Sequence, residues 1–247
     1  MGIRLLSTRQ AAERLGVSEA SVRRWSDRGA LPVQRIGKRG ERRFKLEHLT
    51  RFALPTRTAV PQVGSETPRM LLGGEVVQPS THAAAFYDSD EARVRLTAPF
   101  LAEGLRGGQP CFLIANGKER DVYVKALGGL LGPALDRAVA SGLLTIADAP
   151  GRTTREALDF WEKLLWAAVD RHAVPIRIVG EMACVRDVFA SEQEMLTFEA
   201  MFNMTAKRFP CVAICQYDVR KFSGEAVLSA LRAHPDIGDL SLGLFLK

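Results

Sequence analysis

Long apolar runs are missing. No stretch of the 247-residue chain approaches the ~18 apolar residues that mark a membrane span. Nor do the first residues show the basic, apolar and small-residue succession of a secretory signal. The expected setting is the cytoplasm, with no membrane partner. Cysteine is scarce as well: Cys111, Cys184, Cys211 and Cys215 occur without any Cys-x-x-Cys pair. That excludes a disulfide scaffold or a zinc ribbon and favours reduced thiols in apolar surroundings. Cys211 and Cys215 would share one face of a strand about 13 Å apart, too far for one zinc. His82, His172 and His234 have no local metal spacing. No metal is therefore expected.

The signatures of nucleotide chemistry are also absent. The nearest approach to a phosphate loop is ANGKER, where Gly117-Lys118 is present. Five residues before Gly117, however, stands Phe112 rather than glycine, and Glu119 replaces the Ser or Thr that would hold magnesium. Without those amides and that ligand no phosphoryl transfer is expected. Gly128, Gly129 and Gly132 sit at a helix end, not between a strand and a helix start, and no G-x-S-x-G elbow occurs. Neither a catalytic residue nor a cofactor is expected.

What is present begins at Leu6. Ser7 or Thr8 can cap a helix with Ala11, Ala12 and Leu15 on one side, and Gly16 ends it. Ser18 caps a second helix, whose Glu19 suits the positive end of the dipole. That helix carries Val22 and Trp25 on one side and Arg23, Arg24 and Arg28 on others, until Gly29 and Pro32 stop it. Two short helices across a glycine turn form the helix-turn-helix pattern. Val33–Ile36 and Arg42–Lys45 then read as a hairpin around GKRGE, and LEHLTRFA as a closing helix. These residues, STRQAAERLGVSEASVRRWSDRGALP and GERRFKLEHL, resemble the MerR/excisionase class of winged helix-turn-helix domains.

Charge supports a polyanion partner for this front part. Residues 1–57 hold 14 Lys and Arg against 5 Asp and Glu, leaving 20 against 23 for the remainder. The excess of basic charge is thus confined to the front. Double-stranded DNA is the expected partner. Arg23, Arg24 and Ser21 would face base edges, with Ser18 at the helix start. Arg28 and the wing residues Lys38, Arg39, Arg42 and Arg43 would hold phosphates. A module this small predicts a homodimer, or cooperative side-by-side binding.

Residues 58–81, rich in Pro, Gly, Ser and Thr, read as a linker, within which 70–72 and 75–77 can pair as short strands. From 82 to 247 short apolar strands alternate with helices: AAAFYD, PCFLIA, LLTIAD, PIRIVGEM, CVAICQYD and a closing LSLGLFL. The expected fold class is therefore a small α+β winged helix-turn-helix domain followed by an α/β, doubly wound, mostly parallel sheet. Ligand sites of such sheets lie at the carboxyl ends of the strands. Tyr87 and Asp88, Asn116, Asp148, Glu181, and Gln216 to Asp218 stand there, with Glu181 foremost because it follows a buried strand directly.

His82 with FYDSDEA, PFLAEGLRGGQPCFLIA, RIVGEM, FEAMFN and CQYD resemble the MEDS sensory domain, the type found in the dichloromethane-responsive repressor. That domain is similar to a RecA/KaiC-type core without its phosphate loop. The resemblance implies sensing of a small molecule, such as a hydrocarbon derivative or a nucleotide-like ligand. It singles out His82, Tyr87, Asp88, Glu103, Gly104, Glu181, Asn203, Tyr217 and Asp218. The expected ligand-binding residues are His82, Tyr87, Asp88, Glu181, Asn203 and Tyr217. The leading expectation is a one-component transcription regulator. Two alternatives stay open: a DNA-tethered protein-interaction module, and a nucleotide-dependent enzyme of RecA-like type.

Overall fold

The computed structural model describes residues 5–15, 19–27, 31–37, 40–53, 70–171 and 174–236. They form two compact units, within 1–62 and within 63–247. Gly16, Ser18, Arg28, Gly29, Lys38, Arg39, His172 and the expected closing strand at 240–246 lie outside the described residues.

The first unit runs β1 (Leu5–Ser7), α1 (Thr8–Leu15), α2 (Glu19–Asp27), β2 (Gln34–Ile36), β3 (Glu41–Lys45) and α3 (Leu46–Ala53). Ser7 makes a reciprocal cap with Gln10. Its Oγ accepts from the Gln10 amide at 3.2 Å, and its own amide donates to Gln10 Oε1 at 3.0 Å. Gly37 and Gly40 both take positive φ in the β2–β3 turn, closed by the Gly40 amide on the Gly37 carbonyl at 3.0 Å. The sequence pattern predicts two strands here, whereas the structure has three, in the order β1-β3-β2 and antiparallel throughout. A three-residue strand holding one inward side chain, Leu6, is too short to show alternation. Ala11, Ala12, Leu15, Val22, Trp25, Leu31, Phe44 and Leu49 make the core, and the Trp25 ring tilts against Phe52 at 4.8 Å.

The second unit opens with a hairpin, β4 (Met70–Leu72) and β5 (Glu75–Val77). Met70, Leu72 and Val77 are buried. Ser80 is tied down too, its amide donating to the Cys211 carbonyl and its hydroxyl to that of Phe209. The strand pair expected at 70–72 and 75–77 is present, and residues 70–81 are packed structure rather than part of the linker expected there.

Then follow β6 (Thr81–Tyr87), α4 (Asp90–Arg106), β7 (Cys111–Ile114), α5 (Gly117–Leu131), α6 (Ala134–Ala140), β8 (Leu144–Ala147), α7 (Thr154–Asp170) and β9 (Ile176–Glu181). After them come α8 (Met182–Val188), α9 (Glu192–Ala206), β10 (Cys211–Asp218) and α10 (Gly224–Ala233). Five strands form one parallel sheet in the order β6-β10-β9-β7-β8. The chain steps one way across the sheet from β6 to β8 and the other way from β8 to β10. Right-handed crossovers then put α4, α5 and α6 on one face and α7, α8 and α9 on the other. The reversal falls between β7 and β9, the switch point where such sheets open a crevice for ligands. On the α7 and α9 face, Trp161 packs against Phe112, Phe160 and Phe202, and Phe198 stacks between Phe189 and Phe202. Leu158, Trp161, Leu165 and Ala168 are all buried, as the helical spacing of α7 predicts. Trp166 is half-buried, edge-on to Phe209 at 5.1 Å.

Candidate functional site

In the first unit the packing of α2 decides which side chains face outward. Val22 and Trp25 are buried, as expected, and so are Ser21 and Ser26. Ser21, expected at a base edge, thus belongs to the inward side of the helix, because it lies one position from Val22 and four from Trp25. Arg23 is exposed and pairs with Glu19 at 2.7 Å, one helical turn back, while Arg24 is half-buried. Exposed pairs of this kind contribute roughly 0–1 kcal/mol, so an incoming anion can replace the carboxylate.

The wing is oriented by Asp27 at the end of α2. Both its oxygens accept from Arg42 Nη2, at 2.7 and 2.8 Å, and Oδ1 also accepts from Arg35 at 3.0 Å. Arg42 holds the Asp27 carboxyl below its ordinary range. Arg42, expected to hold phosphate, is thereby occupied in fixing β3 against α2. Arg43 pairs with Glu41 at 2.7 Å.

In the second unit the expected ligand residues do not converge on one site. Alternation along β10 sends Gln216 and Asp218 to one face of the sheet and Cys215 and Tyr217 to the other. Tyr87 and Glu181 belong to the first face, His82 and Tyr217 to the second, so the sheet separates Tyr217 from Glu181. Asp88 lies exposed just after β6, and the helix that follows is capped by Ser89 instead. Asn203 lies on α9, one turn beyond Glu199, with a buried Oδ1 that lacks a hydrogen-bond partner among the described residues.

The first-face cluster is densely connected. Tyr87 donates to Glu181 Oε1 at 2.8 Å, Arg93 Nε donates to the Tyr87 oxygen at 2.9 Å, and Tyr123 stands 3.2 Å from Glu181 Oε2. Tyr123 also bonds Gln216 Oε1, which accepts from Thr97 at 3.0 Å, while Gln216 Nε2 donates to the Arg93 carbonyl. Since Gln216 Oε1 can only accept, it takes the single Tyr123 proton. The remaining Tyr123–Glu181 contact is then satisfied when Glu181 carries a proton of its own. Burial acts the same way, pushing the Glu181 carboxyl up to about 7. Arg93, itself buried, lies 3.4 Å from Glu181 and 3.6 Å from Asp218, and Asp218 is gripped through both oxygens by Arg220. Arg93, Thr97 and Tyr123 come from helices, where one polar residue on an inward side leaves no periodic signal in the sequence.

Four side chains meet on the second face: His82 of β6, Glu199 of α9, Cys215 of β10 and His234 just after α10. All are buried, and their donor atoms lie within 4.8 Å of one another. His82 Nε2 is 3.3 Å from Cys215 Sγ and 3.7 Å from Glu199 Oε2, and His234 Nε2 is 2.9 Å from that oxygen. Tyr217 donates to Glu199 Oε2 at 3.2 Å. Burial lowers the His82 imidazole to about 4 and lifts the Cys215 thiol well above its ordinary value. Sequence spacing could not find this group, because its members come from four separate elements. The alternation of Cys215 with Tyr217 was the only local trace.

The expected failure of the phosphate loop has a structural counterpart. Glu119, in the first turn of α5, accepts from Lys221 at 2.6 Å. It thus occupies an ion pair where a hydroxyl would be needed for magnesium. Among the described residues no helix is long and apolar enough to cross a membrane.

Comparison with known proteins agrees with both units. Residues 5–54 match a helix-turn-helix domain family. Residues 81–235 match the family described as MEDS, the methanogen/methylotroph DcmR sensory domain. Over 241 residues the chain is 37% identical to the transcriptional repressor DcmR of Methylorubrum extorquens, covering 94% of this chain and 90% of that protein. The role named for that relative is regulatory, not enzymatic. Among solved structures, the flagellar accessory protein FlaH from Methanocaldococcus jannaschii aligns over 68% of this chain and 78% of its own. Its TM-score is 0.46 and its identity 11%. With its helix-turn-helix in front and its parallel-sheet domain behind, the chain belongs to the MEDS family of DcmR-type sensory-domain proteins.

Proposed function

We propose that the protein is a one-component transcription regulator whose first unit, a MerR-like reading head, binds duplex DNA as a homodimer. A small molecule bound by the second unit would control that binding. In this reading α2 enters the major groove with Arg23 and Arg24 at base edges, and Arg43 with the basic wing holds phosphates. Asp27, through Arg42 and Arg35, sets the angle between helix and wing. The observation that carries the reading is the division of α2, with Val22 and Trp25 buried and Arg23 turned outward. The name of the 37%-identical relative favours repression as the outcome.

The effector is assigned to the carboxyl ends of the strands around Glu181 and Tyr87, with Asp88 at the rim. A ligand that takes the place of the Tyr123 contact would accept the proton of a neutral Glu181 or donate to an ionised one, so the group distinguishes ligands by hydrogen bonding. A ligand alters DNA affinity only as far as it discriminates between two states of the protein. His82, Tyr217 and Asn203 are left out of this pocket because they belong to the other face.

Selection from a random duplex pool by the full chain, at low and high salt, tests the DNA arm. Recovery of a shared motif, with binding that weakens as salt rises, is expected. Arg24→Ala should blur the motif. A full chain without salt-sensitive duplex binding would overturn the reading. For the effector arm, native mass spectrometry should find a small molecule carried by the full chain and lost in Glu181→Gln, and equal retention by the variant would remove Glu181 from the site.

A further inference from the structure

His82, Glu199, Cys215 and His234 are assembled in a way that hydrogen bonding alone does not explain. The His234 Nδ1 lies 2.7 Å from the Ala230 carbonyl, which can only accept, so Nδ1 carries a proton and Nε2 is left with its lone pair in the neutral ring. That lone pair stands 2.9 Å from Glu199 Oε2, another acceptor, and off a hydrogen-bonding axis. Two acceptors at this separation repel unless a proton or a metal ion lies between them, and no well-aligned hydrogen bond joins this pair. His82 Nε2 faces the same oxygen and the Cys215 sulfur. Glu199 Oε1 and His82 Nδ1 are buried without hydrogen-bond partners among the described residues. Buried polar atoms are rarely left in that condition.

We propose that these four side chains form a closed site for one divalent cation of the zinc class, bound by His82 Nε2, His234 Nε2, Cys215 Sγ and a Glu199 carboxylate oxygen.

The geometry suits that ion. Zinc bond lengths of about 2.0–2.3 Å to nitrogen, oxygen and sulfur put tetrahedral ligand atoms about 3.3–3.6 Å apart. Three of the six separations, 2.9, 3.3 and 3.7 Å, lie around this range, and all six are within 4.8 Å, so an ion would draw the wider pairs together. Charge balance points the same way. A thiolate and a carboxylate together cancel a 2+ ion, and the two imidazoles stay neutral, so the filled site has no net charge in a fully buried place. Binding moves one proton, from the Cys215 thiol to solvent. Imidazole with thiolate favours zinc over magnesium or calcium, which prefer oxygen. The supporting contacts are those that orient metal ligands: Ala230 fixes the His234 tautomer and Tyr217 donates to Glu199. The His82 ring packs between His234 at 4.1 Å and Phe202 at 5.1 Å. With all four positions taken by protein, the ion would hold α9 and the end of α10 against β6 and β10, rather than present an open position to a substrate. The inference stands apart from the DNA-binding reading and from the pocket around Glu181.

The test uses the full chain, stripped with a chelator and titrated separately with Co2+ and Zn2+. One equivalent of Co2+ should bind, giving the visible bands of a tetrahedral ion and a sulfur-to-cobalt charge-transfer band. Zn2+ should displace it and raise the thermal midpoint. Cys215→Ser should lose the charge-transfer band and His234→Gln should weaken uptake roughly 100-fold or more, whereas Cys211→Ser, four residues along the same strand, should behave as the parent. Circular dichroism checks that each variant is folded, and the parent titration stands by itself if a variant is not. A folded, stripped parent that takes up neither ion, or a Cys215→Ser chain with an unchanged charge-transfer band, would overturn the assignment.

Discussion

Tyr87 and Glu181 sit on strands that do not touch, yet the Tyr87 hydroxyl reaches over β10 to donate to the Glu181 carboxyl at 2.8 Å. This bond closes a buried polar group at the switch point of the sheet, where burial raises the Glu181 carboxyl from 4.5 to about 7. A group whose folded value is raised contributes its full stability below its unfolded value and loses it as pH climbs through the folded one. The second unit should therefore lose on the order of 3 kcal/mol between about pH 4.5 and the range above pH 7 from this residue alone. Glu181→Gln remains neutral throughout and should flatten that slope. Urea unfolding at a series of pH values measures it, and parallel slopes for parent and variant would refute the assignment.

Much of this architecture is legible in the residues themselves. Apolar runs without alternation in the strands from CFLI to CVAICQYD announce a covered parallel sheet, and Ser7 or Thr8 marks the start of α1. What stayed hidden is the meeting of distant residues. Glu199 and His234 reach His82 and Cys215 only because the sheet order places β10 beside β6, and no local period encodes strand order. Register separates Tyr217 from Glu181, which do not share a pocket although their strands are neighbours. Tyr217 is one residue past Gln216, the register partner of Glu181, and one residue is enough to reverse the face.

Gly104 illustrates a motif residue whose reason is steric. A Cβ at this position would stand 2.5 Å from Arg177 Cδ and 2.9 Å from Cys111 Sγ. Arg177 cannot easily withdraw. It is buried, donates to the Phe100 carbonyl, Glu103 and Gln109 at 2.7–2.9 Å, and lies over the Phe100 ring at 4.7 Å. Gly104→Ala should destabilise the second unit by about 1–3 kcal/mol, the usual cost of overpacking, read as a lower urea midpoint. An unchanged midpoint would mean that α4 shifts freely.

The reciprocal cap at the start of α1 predicts a local effect. Ser7→Ala removes the oxygen that accepts from the Gln10 amide but leaves the Ser7 amide bond to the Gln10 side chain. The cost should be about 1 kcal/mol, seen as roughly fivefold faster hydrogen exchange in the first turn of α1. Exchange equal to the parent would show that the cap contributes nothing.

Asp27 offers the sharpest separation between affinity and selectivity. Its carboxylate holds Arg42 and Arg35, so Asp27→Ala releases two guanidinium groups and removes one negative charge from the surface proposed to face DNA. Both changes strengthen attraction to phosphate, and non-specific duplex binding at low salt should tighten roughly threefold, with a steeper salt dependence. The same substitution unfastens β3 from α2, so the base-reading side chains lose their fixed angle to the backbone contacts. Selection from a random duplex pool should then yield a less sharply defined motif than the parent gives. Anisotropy titrations at two salt concentrations measure the first effect and sequencing of the selected pool the second. If Asp27→Ala weakened non-specific binding while leaving the motif intact, the carboxylate would have to act at the DNA itself and not through the two arginines.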